Sequence, residues 1–427
     1  MPRGEPSSQN EPDPITQHNI RVESFFSAFN GIYMGLAIFA APVVAVTGVQ
    51  ANALELTILI SAFPVGVFFG PFWATLGRRW GMQTLGTQMA IWANLPLFLI
   101  YWADNSAMFT ALITVSQLLN SAMRMGQSTL YGVMYPRPLQ GRVLGRLTFF
   151  TFVTMVPSVL LTGWLLDRSH EMYRVLYPLA GLCGLVGCFY YRMLHVPGTE
   201  SLPRQRSSLR SGVRHIERII TQDRAYLLFQ LTFFLSGSAF FMSTHVVLLL
   251  TRKEFGFGAF QLSLWLSVMP QVLLAVSSPV WGRIFDHIGI VRCRLLISII
   301  MTGYLASYFG GILTALPFLI YLGSILQGLS NGGGQLTWAL ASSHFAPRTE
   351  DVPLYNGIHF VLNGVRGLVL PWVGSVLLVL VGPWAVFAAT LVSLGSIPII
   401  LRSLSLAYGP EQRLRVVVPA EVSKSAG

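Results

Sequence analysis

Residues 71–81 read PFWATLGRRWG, and residues 279–289 read PVWGRIFDHIG. The two segments carry a proline, a tryptophan and a glycine at matching places. The same separation along the chain relates Gly-Gln-Ser-Thr at 126–129 to Gly-Gln-Leu-Thr at 334–337. Two matches at one separation indicate that the chain consists of two duplicated halves.

The composition around these segments is that of a membrane protein. Of the 427 residues, 53% are hydrophobic and only 11% are charged, whereas soluble domains carry about 25% charged residues. Residues 28–49 and 368–381 contain no charge at all. Long uncharged apolar runs are typical of membrane-spanning helices, so an ordinary water-soluble fold is excluded.

Charge clusters and Gly/Pro-rich turns divide the chain into twelve apolar segments. These are residues 25–48, 54–76, 82–102, 107–135, 143–166, 172–194, 225–250, 260–284, 291–313, 317–343, 352–380 and 383–402. A long polar stretch separates the sixth segment from the seventh. The predicted fold is therefore an all-α membrane protein with twelve transmembrane helices in two pseudo-symmetric six-helix halves.

The same division predicts five regions. They are a disordered cytosolic tail (1–24), an N-terminal six-helix bundle (25–194), a cytosolic basic linker (195–224), a C-terminal six-helix bundle (225–402) and a cytosolic tail (403–427). In the linker, Arg210, Arg214 and Arg218 recur every four residues opposite an apolar face. This pattern predicts an amphipathic helix that lies on the lipid surface.

The distribution of basic residues predicts the orientation. Most of the 28 Lys and Arg residues fall on the side that holds both termini, and the other side holds only Arg168, Arg174, Arg252 and Lys253. Cytosolic loops retain positive charge, so both termini are expected in the cytosol. The excess of basic residues is thereby explained without a nucleic-acid partner, and we expect a multi-pass protein of a bacterial cytoplasmic (inner) membrane or of a membrane derived from it.

Two motifs resemble those of the major facilitator superfamily. The second-half copy of its signature between spans two and three is similar to Gly282, Asp286, His287, Gly289, Arg292 and Arg294. In the first half, Arg79 and Gly81 are kept, while Ala74 replaces the Gly and Arg78 replaces the Asp. The Arg-x-x-Gln motif of the fourth span is present as Arg124 and Gln127.

The resemblance implies a secondary transporter that moves a small solute by rocker-switch alternating access, with the substrate site between the halves. It also implies a cytosolic gate formed by Arg79, Gly81, Gly282, Asp286, Gly289 and Arg292. The expected partners are a small-molecule substrate, a coupling proton or ion that moves with it as in a symporter, and the lipid bilayer. We expect a monomer without a cofactor.

Arg124 and Arg366 lie within predicted spans, where a guanidinium is costly to insert. Each belongs to a polar helical stripe, the first formed by residues 117, 120, 124, 127 and 131 and the second by 359, 363 and 366. The carboxylates Glu23, Glu55, Asp104, Asp167, Glu171 and Asp286 all fall at predicted span ends. Unpaired arginines in a cavity favour carboxylate or phosphate ligands, so the leading hypothesis is an organic anion.

The predicted substrate-binding residues share a polar or aromatic side chain within a span. They are Arg124, Gln127, Arg366, Asn363, His359, Asn30, Tyr33, Gln335 and Trp338, and Gln271 and Asn331 are further candidates for the same cavity. Amide and aromatic groups suit a neutral sugar, a nucleoside or a drug-like solute equally well, and this alternative stays open.

With no carboxylate in mid-span, His245 and His359 are the predicted coupling residues, against the simpler interpretation of hydrogen-bonded core histidines. Cys183, Cys188 and Cys293 have no metal-ligand spacing, so no metal site is expected. Transport of a metal ion remains an alternative that the arginines disfavour. No catalytic motif points to an enzyme, and a membrane sensor or scaffold without transport is the remaining class.

The predicted topology can be tested by cysteine labelling in a cysteine-free background. Arg174→Cys and Arg214→Cys should react with a membrane-impermeant maleimide from opposite sides, because an odd number of spans separates the two positions. Labelling of both from the same side would contradict the twelve-span prediction.

Overall fold

The computed structural model describes residues 13–135, 137–196, 219, 221, 223–347 and 352–408. These ranges contain helices and no β-strand. The helices group into twelve consecutive rods, α1–α12, and each rod overlaps one predicted span. The prediction of an all-α fold is confirmed.

The N-terminal half contains α1–α6. Their bounds are α1, Pro14–Thr47 with a π-helical segment at Gly35–Ala40; α2, Ala53–Phe68 and Gly70–Trp80; α3, Met82–Leu99; α4, Ser106–Met134; α5, Arg137–Arg168; and α6, Tyr173–Arg192. A π-helical segment leaves backbone groups out of the regular hydrogen-bond ladder and often marks a functional site. This one lies where α1 meets the centre of the molecule.

The C-terminal half contains α7–α12. Its first helix, α7, spans Arg224–Phe255, and α8 consists of Ala259–Leu262, a π-helical segment Ser263–Val268 and residues 269–288. Gly289 has φ 75°, which breaks the continuous stretch Met269–Thr314 and starts α9 at residue 290. The remaining helices are α10, Pro317–Phe345; α11, Val352–Leu380; and α12, Pro383–Tyr408.

The apolar character of the helices agrees with a membrane protein. Within the described ranges, seven helical stretches are long and apolar enough to cross a membrane, and one of them, Ala259–Thr314, is the bent pair α8–α9. Only helices and closed barrels satisfy their own backbone hydrogen bonds in hydrocarbon. Each of these helical stretches can therefore cross a bilayer without leaving backbone groups unpaired.

The predicted disordered tail 1–24 is wrong from residue 14 onward. Asp13 caps the first turn of α1, because its carboxylate accepts hydrogen bonds from the backbone amides of Ile15 at 2.9 Å and Thr16 at 3.0 Å. Pro14 occupies the first helical position, where its missing N–H costs nothing. Similarly, α12 continues to Tyr408, six residues into the predicted tail 403–427.

Other parts of the predicted organisation fall outside the described residues. These are residues 1–12, most of the basic linker with its predicted amphipathic helix, and residues 409–427. For them the sequence-based expectations stay predictions.

Within each half, short connections join consecutive helices, so these helices alternate in direction. We call the end of the molecule where α1 begins and α12 ends the terminal face, and the other end the opposite face. The end of α5 and the beginning of α8 meet at the opposite face, where Asp167 accepts hydrogen bonds from the amides of Ala259 at 2.6 Å and Phe260 at 3.0 Å. A carboxylate at a helix N-terminus also interacts favourably with the helix dipole, so Asp167 stabilises the contact between the halves.

Two further contacts join the halves on the same side of the molecule. Thr57 of α2 hydrogen-bonds Ser375 of α11, whose hydroxyl lies 2.8 Å from His245 Nε2 of α7. Ser267 of α8 donates to the carbonyl of Phe39 in α1 at 3.1 Å. In the described part of the chain, hydrogen bonds therefore connect three pairs of helices from the two halves toward the opposite face.

Gly163 makes the α5–α8 contact possible. A Cβ at this position would lie 2.8 Å from Phe260 Cα and 2.9 Å from the carbonyl oxygen of Ala259. Both neighbours are backbone atoms, which cannot rotate away. A side chain at residue 163 is incompatible with this closed arrangement of the halves.

We therefore expect Gly163→Val to destabilise this state by about 1–3 kcal/mol, as overpacking does, and to raise the population in which the halves separate at the opposite face. The measurement is maleimide labelling of Thr244→Cys, a cavity position, from the opposite face in a cysteine-free background. Gly145→Val is the matched control, because it lies on the same helix and its Cβ would meet nothing within 4 Å. Equal labelling rates in the two variants would contradict the role of Gly163.

Candidate functional site

A cavity of about 310 Å³ lies between the two halves. Helices of both halves line it, including α1, α2 and α4 from the first and α7, α8, α9 and α10 from the second. This volume is at the small end of the range for ligand pockets. The cavity is the candidate substrate site.

Apolar and aromatic side chains form most of the wall. The aromatic residues are Phe39, Phe63, Phe240, Phe241, Tyr304 and Tyr308. Among the described residues that line the cavity, none is acidic, basic or a histidine. The wall is therefore electrically neutral.

Four side-chain amides supply the hydrogen-bonding capacity of the wall. Gln117 donates to the carbonyl of Ala37 at 2.7 Å, and Gln327 accepts from the hydroxyl of Tyr308 at 2.7 Å. Each of these two amides therefore keeps one group for a ligand. Gln271 and Asn331 make no hydrogen bond to any described residue, so both of their groups are available. Both residues were predicted from the sequence to line the cavity.

The predicted gate residues lie at the terminal face. The side chains of Arg79, Asp286 and Arg292 are exposed, as are Gly81 and Gly289, and Gly282 is half-buried. Within the described ranges, Asp286 forms no ion pair. An ion pair is present between Arg174 and Asp104 at 3.0 Å, outside the predicted gate. Among the described residues, the structure thus has hydrogen bonds between the halves toward the opposite face and no ion pair at Asp286, and the gating role stays a prediction.

Arg124 lies in the N-terminal half beside Tyr33. The Tyr33 hydroxyl is 2.7 Å from Ser116 Oγ, and this hydroxyl is also close enough to Arg124 to interact electrostatically with its guanidinium. Nη2 of Arg124 is buried and has no hydrogen-bond partner among the described residues. Arg124 does not line the cavity.

Arg366 lies on α11 in the C-terminal half and contacts α7. It donates to the carbonyl of Phe233 and, at 2.6 Å, to Oδ1 of Asn363. Nδ1 of His359, two turns before Arg366 on the same helix, is 2.8 Å from Oε1 of Gln230. The described contacts of Arg366 and Arg124 share no residue, so the structure places the two predicted arginines in separate clusters.

The other predicted site residues also lie outside the cavity wall. Asn30 and Tyr33 are buried inside the N-terminal half, Gln335 is exposed, and Trp338 packs against the His359 ring with centroids 5.3 Å apart. Gln127 donates to Glu23 at 3.3 Å. His245 is fully buried at its contact with Ser375. Their roles in binding and coupling stay predictions.

Glu23 is a buried carboxylate that the sequence analysis placed at the end of a span. It is 0% exposed and accepts hydrogen bonds from the Tyr135 hydroxyl at 2.6 Å and from Gln127. No basic residue pairs with it in the described part of the chain. The available signal was the Asp-Pro pair at residues 13–14, which is typical of a helix start and places Glu23 inside α1.

Arg294 is the second residue whose position the sequence analysis misjudged. The distribution of basic residues predicts Arg294 on the cytosolic side with Arg292, but it lies more than one turn into α9 and is only 2% exposed. It donates to the carbonyl of Thr232 at 3.0 Å and to Ser236 Oγ. The predicted span 291–313 contains Arg294 near its start, and only the packing of α9 against α7 decides that its side chain is buried.

Comparisons with known proteins agree with this architecture. No curated protein matches the chain in sequence. A mutant of the nucleoside transporter NupG superimposes with a TM-score of 0.69 at 12% identity, covering 91% of this chain and 100% of that chain. The inward-open xylose transporter XylE from E. coli gives 0.62 at 12% identity, with 91% and 100% covered.

A bacterial homolog of the human lysosomal transporter Spinster, inward-facing and unoccupied, gives a TM-score of 0.57 at 13% identity over 93% of this chain and 96% of that chain. At such identities the likeness shows a shared fold. The sequence model of the Major Facilitator Superfamily matches residues 24–310, which is more than half of the chain. This protein therefore belongs to the Major Facilitator Superfamily.

Proposed function

We propose that the protein is a secondary active transporter that works by rocker-switch alternating access. The observation that carries this proposal is a ligand-sized cavity between two duplicated halves, in which the hydrogen bonds between the halves, among the described residues, all lie toward the opposite face. Breaking those contacts and forming a gate at the terminal face would expose the cavity to the other side. A sensor without transport would need no such alternation.

The terminal face is the cytosolic face in this proposal, because the excess of Lys and Arg lies there. The structure then corresponds to an inward-facing state. A bacterial cytoplasmic membrane, or one derived from it, remains the proposed location.

The proposed substrate is a small uncharged solute with an apolar surface and several hydrogen-bonding groups, such as a sugar or a nucleoside. A neutral wall supports this class, because a buried charge without a partner would cost several kcal/mol. Amides offer both donors and acceptors, and aromatic rings suit the flat faces of sugars and bases. Nucleoside and xylose, which two structural neighbours are named for, are solutes of this kind, although those neighbours bear on the fold alone.

An organic anion is the second candidate, and the unpartnered Nη2 of Arg124 favours it. An anionic group that reached this atom would complete its hydrogen bonding. The arginine lies on α4, the helix that contributes Gln117 to the cavity. Gln117 and Arg124 lie two turns apart on one face of α4, so this candidate requires a conformational change that extends the cavity along α4 as far as Arg124.

We propose Glu23 as the proton carrier that couples transport to a proton gradient, as in a symporter. Its carboxylate is buried, has two neutral hydrogen-bond donors and has no basic partner in the described ranges. Taking up a proton would remove a charge that is costly to keep in the protein interior. Helix α1, which carries Glu23, also lines the cavity through Phe39 and Val43, so protonation and substrate binding act on one helix.

The substrate class can be tested with variants of the cavity amides. After a thermal-shift screen of sugars, nucleosides, organic acids, phosphorylated metabolites and metal ions has identified a ligand, we expect Gln271→Ala and Asn331→Ala each to weaken binding by about 1 kcal/mol or more, since each removes hydrogen bonds. Gln88→Ala is the control, because this exposed amide of α3 does not line the cavity. If the ligand is an anion that binds normally to the amide variants and fails to bind Arg124→Gln, the second candidate is correct.

The coupling proposal predicts that Glu23→Gln abolishes solute accumulation driven by an imposed proton gradient, because an amide cannot carry the proton. Exchange of labelled for unlabelled solute should persist, since it needs no net proton movement. The measurement is uptake into proteoliposomes in both modes, with exposed Glu254→Gln as the control. Gradient-driven uptake by Glu23→Gln at the wild-type rate would contradict the role of Glu23.

A further inference from the structure

A second polar site lies inside the C-terminal half, around Phe233 of α7. The guanidinium carbon of Arg294 is 4.0 Å from the centroid of the Phe233 ring. The His359 ring meets the same ring edge-on at 5.2 Å, and the Phe233 carbonyl accepts a hydrogen bond from Arg366. Side chains from α9 and α11 thus bring three basic groups to one residue of α7.

The two arginines of this cluster have no counter-charge among the residues that the structure describes. All of their described hydrogen-bond acceptors are neutral, namely the carbonyls of Thr232 and Phe233, the hydroxyls of Thr232 and Ser236, and the amide oxygen of Asn363. Arg366 is also close enough to Arg294 for the two charges to repel each other. Two uncompensated like charges in a protein interior are strongly unfavourable, so the cluster lacks a negative charge.

The same cluster contains polar atoms that are buried without a hydrogen-bond partner among the described residues. They are Nε of Arg366, Nε2 of Gln230 and Nε2 of His359. Gln230 and His359 are 2% and 3% exposed. Arg366 Nε and Gln230 Nε2 are donors in every protonation state, and His359 Nε2 donates when the ring is protonated. Buried donors without acceptors are rare in folded proteins, so an acceptor is missing together with the negative charge.

The surroundings limit the size of the missing acceptor. None of the cluster residues lines the central cavity, and the rings of Phe233 and Trp338 pack against His359. The Arg366 guanidinium lies so close to Gly237 that a Cβ there would collide with it. These close contacts exclude an organic molecule and limit a ligand to the size of a small ion.

We propose that the C-terminal half binds a small inorganic anion, of which chloride is the simplest example, between Arg294 and Arg366. The anion would supply the missing negative charge and accept hydrogen bonds from the unpartnered donors. Hydrogen bonds between a charged donor and an anion are stronger than neutral ones. This site is separate from the central cavity and does not depend on which solute the cavity binds.

Thermal unfolding of the purified full-length protein tests the proposal. We expect the wild type to unfold several degrees higher in sodium chloride than in sodium gluconate at equal ionic strength, with a saturable dependence on chloride, because an anion that binds only the folded state stabilises it. Arg294→Gln and Arg366→Gln should lose this difference. Arg283→Gln should keep it, since this arginine of α8 is exposed at the terminal face.

Equilibrium binding of radioactive chloride provides a measurement that does not depend on the stability of the variants. Wild type should bind saturably, Arg294→Lys should retain binding because it keeps the charge, and Arg294→Gln should weaken it roughly tenfold or more. No saturable binding by the wild type, or binding that is unchanged in both glutamine variants, would overturn the proposal. Loss of the chloride response in Arg283→Gln as well would also overturn it, because it would indicate a general effect of surface charge.

Discussion

A peptide group that enters hydrocarbon finds no water to bond with, and this constraint governs the whole molecule. Every segment that crosses must satisfy its own amides and carbonyls, which leaves the helix as the structure for a chain with this pattern. Interruptions of the helices in the described ranges occur at the terminal face or beside the cavity in the following cases. Gly289 breaks the stretch Met269–Thr314 at the terminal face, and the π-helical segments Gly35–Ala40 and Ser263–Val268 lie in helices that line the cavity.

Because lipid tails are as apolar as leucine, the helices cannot associate through burial of apolar area alone, and close contact between small residues has to hold them together. Gly163 lets α5 reach the backbone of α8, and Gly367 and Gly364 let α11 approach Pro64 and Phe68 of α2. These contacts are strongest toward the opposite face, where Asp167 also caps α8. Toward the terminal face, α4 lacks an extensive contact with α10 or α11 in the described part of the chain. The cavity owes its asymmetry to this difference.

Buried charge is costly in the same low-dielectric interior, and the described charged residues are kept out of the cavity wall and lie in separate places in the two halves. The cavity wall is neutral, Glu23 is held by neutral donors in the N-terminal half, and Arg294 and Arg366 share a site in the C-terminal half. Solute, proton and anion would then act on separate parts of the protein that are connected through α1 and α7. Both helices line the cavity, which gives each charged site a mechanical connection to it.

The sequence by itself determined the class of the fold, the division into twelve helices and the two halves, because hydrophobic length and the internal repeat are local properties of the chain. It also identified Gln271 and Asn331 as cavity residues. The predicted span at residues 25–48 missed the start of α1 at Pro14, although the Asp-Pro pair at residues 13–14 is typical of a helix start. Only the tertiary structure decided which polar side chains reach the cavity: Gln117 of the first polar stripe lines it, whereas Arg124 of the same stripe and Arg366 of the second contact residues of their own halves. A periodic pattern shows that a helix face is shielded from lipid, and it cannot distinguish a face that borders a cavity from one that packs against another helix, because both exclude lipid equally.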